Sequence, residues 1–265
     1  MTNGSVSAAI RNALLTSEPR AKVMAARGVA RDWRQGKLDP SFDAAMPERP
    51  GRPERPELLP PGRMPKRGRG QSLRGRIALY HALAHIEFTA IDLALDMAGR
   101  FGAEMDRDFV SDFLDVAADE ALHFALLDRR LRTLESAYGS LPAHSGLWDA
   151  AYDTRHDVAA RLAIVPMVLE ARGLDVTPMT IERMRAAGDE TGVRILKRIL
   201  DDEIRHVRVG TRHFESVCRQ RGQTAEREWN TLVNRYFRGS IKPPFNDSAR
   251  EAAGLSRSFY AALAY

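Results

Sequence analysis

Asp119-Glu120-Ala121-Leu122-His123 and Asp202-Glu203-Ile204-Arg205-His206 are two copies of one local pattern, and their reading decides the fold. In each, a Glu and a His stand three residues apart. On a helix that spacing points both side chains the same way, about one turn apart, so a carboxylate oxygen and an imidazole nitrogen can meet on one metal ion. One such pair is a weak signal, because both residue types are common on solvated helix faces. Upstream of each copy, however, lies a solitary Glu in an apolar run: Glu87 in His85-Ile86-Glu87-Phe88 and Glu170 in Val168-Leu169-Glu170-Ala171. The offsets agree, 120 − 87 = 33 and 203 − 170 = 33. The pattern predicts two similar helical hairpins, each giving a Glu from its first helix and Glu-x-x-His from its second.

Facing each other, the hairpins would supply Glu87, Glu120, His123, Glu170, Glu203 and His206 as metal ligands. Four carboxylates and two histidines are the ligand set of the ferritin-like di-iron and di-manganese carboxylate bundles. Hard oxygens with imidazole suit Fe or Mn, so two Fe ions are expected, with Mn as the alternative. Without a metal, four converging carboxylates would repel one another and be desolvated at a cost. Outward-pointing, they would simply be solvated. Leu83, Ala84, Ala90 and Ile91 share the helix face of Glu87 and are core residue types, which favours the inward reading.

Asp119 and Asp202 each precede a ligand histidine by four residues and so face the ligand side. Each is expected to brace an imidazole by accepting a hydrogen bond from its other ring nitrogen, a plain exposed Asp being the alternative. Arg205 is a candidate partner for one of them. Pro166, four before Glu170, removes a backbone donor inside a helical run and predicts a kink or bulge beside the site. His81 and His85 are expected to be satisfied core or surface histidines. His213 lies on the face of His206 but about 10 Å further along the axis, and Cys218 is expected to be an inert buried thiol.

Outward from this core the 265-residue chain reads in three parts. Residues 1–71 begin with helical spacing over 5–35, divided at Pro19, and continue into a segment with seven prolines between Pro47 and Pro65. Pro50, Pro53 and Pro56 recur at the three-residue turn of polyproline II, which predicts an extended strap or tether. Residues 72–222 hold the bundle, with helices predicted over 73–100, 105–138, 146–172 and 190–221 and a shorter one near 178–187. Gly173 is expected to cap the third as its C-terminal stop. Residues 223–265 offer a short helix from Ala225 to Phe237, a turn at Pro243-Pro244, and a final amphipathic piece ending in Tyr265. No stretch sustains a period of two, so strands are not expected and the fold is all-α.

A hydrophobic fraction of 44% and a charged fraction of 28% are ordinary for a globular protein. The 77–98 run is interrupted by His81, His85, Glu87, Asp92 and Asp96, which forbids a membrane span. Met1 to Ala9 lacks the basic-then-apolar pattern of a signal peptide, and a lone cysteine fits a reducing compartment, so a cytoplasmic location is expected. Nine Arg or Lys against two Glu between Arg49 and Arg76 form a basic stretch that suits phosphates, or a solvated strap carrying arginines for solubility or packing.

Residues 77–221 resemble an uncharacterised bacterial ferritin-like family. The likeness is carried by His85-Ile86-Glu87, Asp119-Glu120-Ala121-Leu122-His123-Phe124, Met167-Val168-Leu169-Glu170-Ala171-Arg172-Gly173-Leu174-Asp175 and Asp202-Glu203-Ile204-Arg205-His206. Arg55-Pro56-Glu57-Leu58 and Lys242-Pro243-Pro244-Phe245-Asn246 extend it over most of the chain. The resemblance implies a ferritin-like four-helix bundle and a di-metal site, with Glu120/His123 and Glu203/His206 at the paired positions and Glu87 and Glu170 at the single ones. Leu127 stands where the radical-bearing relatives of that superfamily have tyrosine, and no Cys-x-x-Cys pair is present for a rubredoxin-like iron.

The expected activity is that of an O₂-dependent oxidoreductase, of hydroxylase or monooxygenase type, on an organic small molecule. No flavin or nicotinamide fingerprint appears, so electrons would come from a separate donor. Two alternatives share the metal: a ferroxidase, peroxide-handling or iron-storage protein, and an RNA-modifying or RNA-binding protein that uses the basic strap.

Overall fold

The computed structural model describes residues 4–65 and 72–264. Lys66, Arg67 and Arg69 of the expected basic strap, and Tyr265 at the end of the final piece, lie outside the described residues. Among those described there are helices and isolated bridges but no strand, in keeping with an all-α chain. No helix among them is long and apolar enough to cross a membrane. The chain divides into two compact units, Met1–Gly146 and Leu147–Tyr265.

In the first unit, α1 (Val6–Leu15) and α2 (Pro19–Arg34) precede a long hairpin of α3 (Leu73–Phe101) and α4 (Arg107–Thr133). Pro19 opens α2 at its first position, where the missing N–H costs nothing. Ser72 caps α3 and Asp106 caps α4, the latter accepting from Phe109 N–H at 2.8 Å. A connection this short between two long packed helices makes them antiparallel. α2 packs along α4, and α1 against α3. The proline-rich segment lies on this unit as a strap over its described part. Gly51 N–H donates to Leu14 C=O at 2.8 Å, Arg100 donates to Pro47 C=O, Leu59 N–H donates to Ala143 C=O at 2.8 Å, and Ala143 N–H donates to Glu57 C=O at 2.9 Å. Gly102 is needed here, because a Cβ would sit 2.3 Å from a ring carbon of Phe42.

The strap is pinned by charge as well. Asp92 of α3 is fully buried and takes the Lys22 ammonium from α2 and the Arg52 guanidinium from the strap, the latter at 2.7 Å. Lys22 also donates to Leu14 C=O at 3.0 Å. Burial pulls the Lys22 pKa down and Asp92 opposes it, while burial pushes the Asp92 carboxyl up and the two cations oppose that.

α4 is shorter than its spacing predicts. It stops at Thr133, because Glu135 takes a left-handed φ of 56° and Ser136 N–H folds back to Leu131 C=O at 3.0 Å. This is a Schellman-type stop built on Glu rather than Gly, so no stop signal marks it. Tyr138 therefore leaves the helix, stacks against His81 and His85, and meets Phe88 at a tilt.

The second unit corrects the predicted third helix. α5 (Gly146–Asp153) ends before a break, and Asp157 then caps α6 (Val158–Ile164) by accepting from Ala159 N–H. Val165–Glu170 is a π-helical turn that carries Pro166, so the expected bulge is present. α7 (Ala171–Ala186) runs through both Gly173 and Pro178, so Gly173 caps nothing and the separate helix near 178–187 is the end of α7. Pro178 has no N–H for the Leu174 carbonyl; the Asn246 side chain supplies the bond instead, at 3.1 Å. α8 (Glu190–Gln220) packs against α6 and α7, and α9 (Ala225–Tyr236), α10 (Asp247–Ala252) and α11 (Arg257–Tyr260) close the unit. Gly210 of α8 admits the proline of the π turn, since a Cβ there would lie 2.4 Å from Pro166 Cβ and Cγ.

Candidate metal centre

Glu87 sits midway along α3, while Glu120 and His123 sit one turn apart midway along α4. Each of the three offers a ligand atom, and these atoms lie within 4.8 Å of one another. His123 Nδ1 is 3.3 Å from a carboxylate oxygen of Glu87 and 3.3 Å from one of Glu120. The three side chains are 5%, 1% and 0% exposed, so none relies on bulk water. Burial pushes the Glu87 carboxyl well above its ordinary range, and the neighbouring charge of Glu120 pushes it further, while the His123 contact pulls the other way. Two carboxylates that raise each other's cost, converging on one imidazole nitrogen in a dry site, form a cluster able to hold a metal ion.

In the second unit Glu203 and His206 are both buried on α8, with His206 Nδ1 3.6 Å from Glu203. Glu170 is half-buried and closes the π turn. Asp202 is half-buried and pairs with Arg198 at 2.5 Å and with Arg205 at 3.6 Å, both on its own helix. Asp119 is half-buried on α4.

Phe88 and Phe124, each adjacent in sequence to a cluster residue, have ring centroids 5.1 Å apart, and Tyr138 stands 5.3 and 5.1 Å from them. His85 Nε2 donates to the His144 carbonyl at 3.0 Å, because a carbonyl only accepts; its Nδ1 then accepts from Tyr138 O–H at 2.9 Å. His81 Nε2 accepts from Gly139 N–H at 2.9 Å. Both histidines are thus buried and satisfied, and burial lowers the His85 pKa to about 4. Tyr138 escaped the sequence reading, since a tyrosine expected inside a helix carries no mark of a turn-back onto His85. His213 is buried on α8, and Cys218 is a buried thiol whose pKa burial raises to about 11.

Fold and site together define an all-helical protein with a buried Glu/His cluster able to bind a metal. The chain belongs to the family described as protein of unknown function DUF455, whose model matches residues 15–261. An uncharacterized protein of Haemophilus influenzae is 42% identical over 211 residues, covering 77% of this chain and 73% of that relative. No solved structure matches.

Proposed function

We propose that the two helical hairpins pair as a ferritin-like four-helix bundle that holds two metal ions, Fe or Mn, and that the protein is an O₂-dependent oxidoreductase of hydroxylase type. In this reading Glu87, Glu120, His123, Glu170, Glu203 and His206 are the ligands, and Asp119 and Asp202 brace the ligand histidines. The bundle spans 72–222, between an N-terminal part of 1–71 and a C-terminal extension of 223–265. The protein acts in the cytoplasm on an organic small molecule, with electrons from a separate donor.

The observation that carries the proposal is the buried Glu87–Glu120–His123 cluster, since that much desolvated acid invites a cation. The equal 33-residue offsets favour a second, matching half-site built on Glu170, Glu203 and His206. The π turn ending at Glu170 supports it further, because such turns concentrate at functional sites. When bound, a pair of redox-active ions supplies the Lewis acidity and electron transfer that side chains lack. The chain's own part is to hold the ions with carboxylate and imidazole and to keep water away with Phe88 and Phe124.

Metal analysis of purified protein tests the site. About two Fe or Mn per chain are expected, with occupancy falling sharply in Glu120→Ala and in Glu203→Ala. Full occupancy in both variants would sink the assignment. For the reaction, anaerobically reduced protein is expected to consume O₂; metal-loaded protein that consumes none would leave the site a binding or storage site.

A further inference from the structure

α8 has an outer face unlike that of any other long helix in the chain. Between Arg194 and Arg219 eight positions are exposed: Arg194, Lys197, Arg198, Asp201, Arg205, Arg208, Arg212 and Arg219. Seven of the eight are basic. Arg198, Arg205, Arg212 and Arg219 recur every seven residues and so form one row, with the remaining cations beside it. From Arg194 to Arg219 the face runs 25 residue steps (219 − 194), about 37 Å along the helix axis. α4, the equivalent helix of the first hairpin, exposes only Arg107, Asp108, Arg129, Arg132 and Thr133, because α2 packs along it.

Local contacts aim several of these cations. Arg198 and Arg205 share Asp202, and both keep about half of their side-chain surface exposed, 52% and 48%. Arg208 donates twice to the Ala252 carbonyl, which holds it but carries no net charge. Arg212 approaches His213, and Arg194 donates to the Thr191 hydroxyl. A solvated helix face usually mixes signs evenly, whereas this one exposes a single acid, Asp201, among seven cations.

We propose that this face of α8 binds the phosphate backbone of a double-stranded nucleic acid without regard to sequence. Charge complementarity names the partner. Six of the seven cations are arginines, whose planar fork meets phosphate oxygens two at a time. The row is about as long as one turn of duplex, roughly 34–36 Å. No exposed aromatic or aliphatic side chain interrupts it, so it has neither the stacking platform that single strands use nor the apolar edge that a membrane surface needs. With its opposite face packed on α6 and α7, α8 meets the backbone from outside and reads no base edges. The proposal is independent of the metal and its reaction.

The test uses the full chain and a duplex of about two helical turns, roughly 20 base pairs. Binding is followed by fluorescence anisotropy between about 50 and 200 mM salt. Two variants carry the same charge change: R194E/K197E/R212E/R219E on α8, and R49E/R55E/R63E/R74E on the strap and the start of α3. The α8 variant is expected to bind at least about tenfold more weakly and to lose about 3 to 4 from its log–log salt slope, one per phosphate contact. The strap variant is expected to stay within about twofold of wild type. Equal weakening in both would overturn the proposal in favour of bulk charge, as would wild-type protein that ignores the duplex or prefers anionic vesicles. Circular dichroism checks folding; should the α8 variant unfold, the matching Arg/Lys→Gln set is measured against the same two criteria.

Discussion

The two hairpins repeat more than a single Glu and a Glu-x-x-His pair. Asp92 follows Glu87 by five residues and Asp175 follows Glu170 by five (92 − 87 and 175 − 170). Each aspartate is buried, and each seizes a cation from a terminal extension of its own unit. Asp92 takes Lys22 and Arg52 from the N-terminal helix and strap. Asp175 takes Arg250 from the C-terminal extension through two bonds, 2.8 and 2.7 Å, and also the Asn246 N–H at 3.0 Å. Arg250 is further flanked by the rings of Tyr260 and Phe245. The extensions are therefore anchored beside the very helix turns that carry the single glutamates. What differs is the chemistry of the anchor: the first buries a compact ammonium beside the Arg52 fork, whereas the second buries only a planar fork, flanked by aromatics, which is the less costly cation to dehydrate.

That difference sets the largest expected effect. Asp92→Ala leaves the Lys22 ammonium fully buried without its counterion, and should cost about 3–5 kcal/mol in urea unfolding. Asp175→Ala should cost less, about 1.5–3 kcal/mol, because the extension bearing Arg250 is short and can turn its guanidinium to water. Replacing both charges, Lys22→Met with Asp92→Leu, should recover most of the first loss. If Asp175→Ala proves the more damaging, or the double replacement recovers nothing, the contrast between the two anchors is wrong.

These paired features explain how much the sequence discloses. The α1–α2 break at Pro19 and the limits of α3 are local patterns, and the structure has them where periodicity puts them. The pairing of Glu120 with His123 was legible for the same reason, since one turn of helix fixes which side chains share a face; Glu87 meets them only through the packing of α3 on α4. The failures are equally physical. Glu135 ends α4 from a left-handed conformation that glycine ordinarily signals. Asp157 starts a new helix inside a run, 146–172, that reads as one helix. Pro178 stays helical only because a side chain 68 residues away (246 − 178) supplies the missing donor, and no local rule contains Asn246. The Lys22–Asp92–Arg52 cluster joins three segments, so only the folded chain brings it together.

The first hairpin is continuous, whereas the second accommodates a proline, and Gly210 is the notch that makes room for it. Gly210→Ala would press a methyl group to 2.4 Å from Pro166 Cβ and Cγ. Neither the pyrrolidine nor the α8 backbone yields easily, so overpacking should cost about 1–3 kcal/mol. Thermal unfolding measures it, and a neutral result would mean that the π turn has slack that the first hairpin lacks.

The smallest effect separates two accounts of the same residue. Were Gly173 a C-cap in the left-handed region, as its place after an apolar run suggests, Ala would be strained there and Gly173→Ala would destabilise. In the structure Gly173 lies inside α7, without a positive φ, and a Cβ would meet nothing within 4 Å. Alanine then removes backbone freedom from the unfolded chain at no cost to the folded one, a gain of about 0.4–1 kcal/mol. The sign alone decides. A higher unfolding midpoint for Gly173→Ala means that one helix runs from the π turn past Pro178 to Ala186, so that Glu170 and Asp175 are carried by one rigid element as Glu87 and Asp92 are. A lower midpoint means that the second hairpin breaks between them and the parallel with the first stops at the single glutamates.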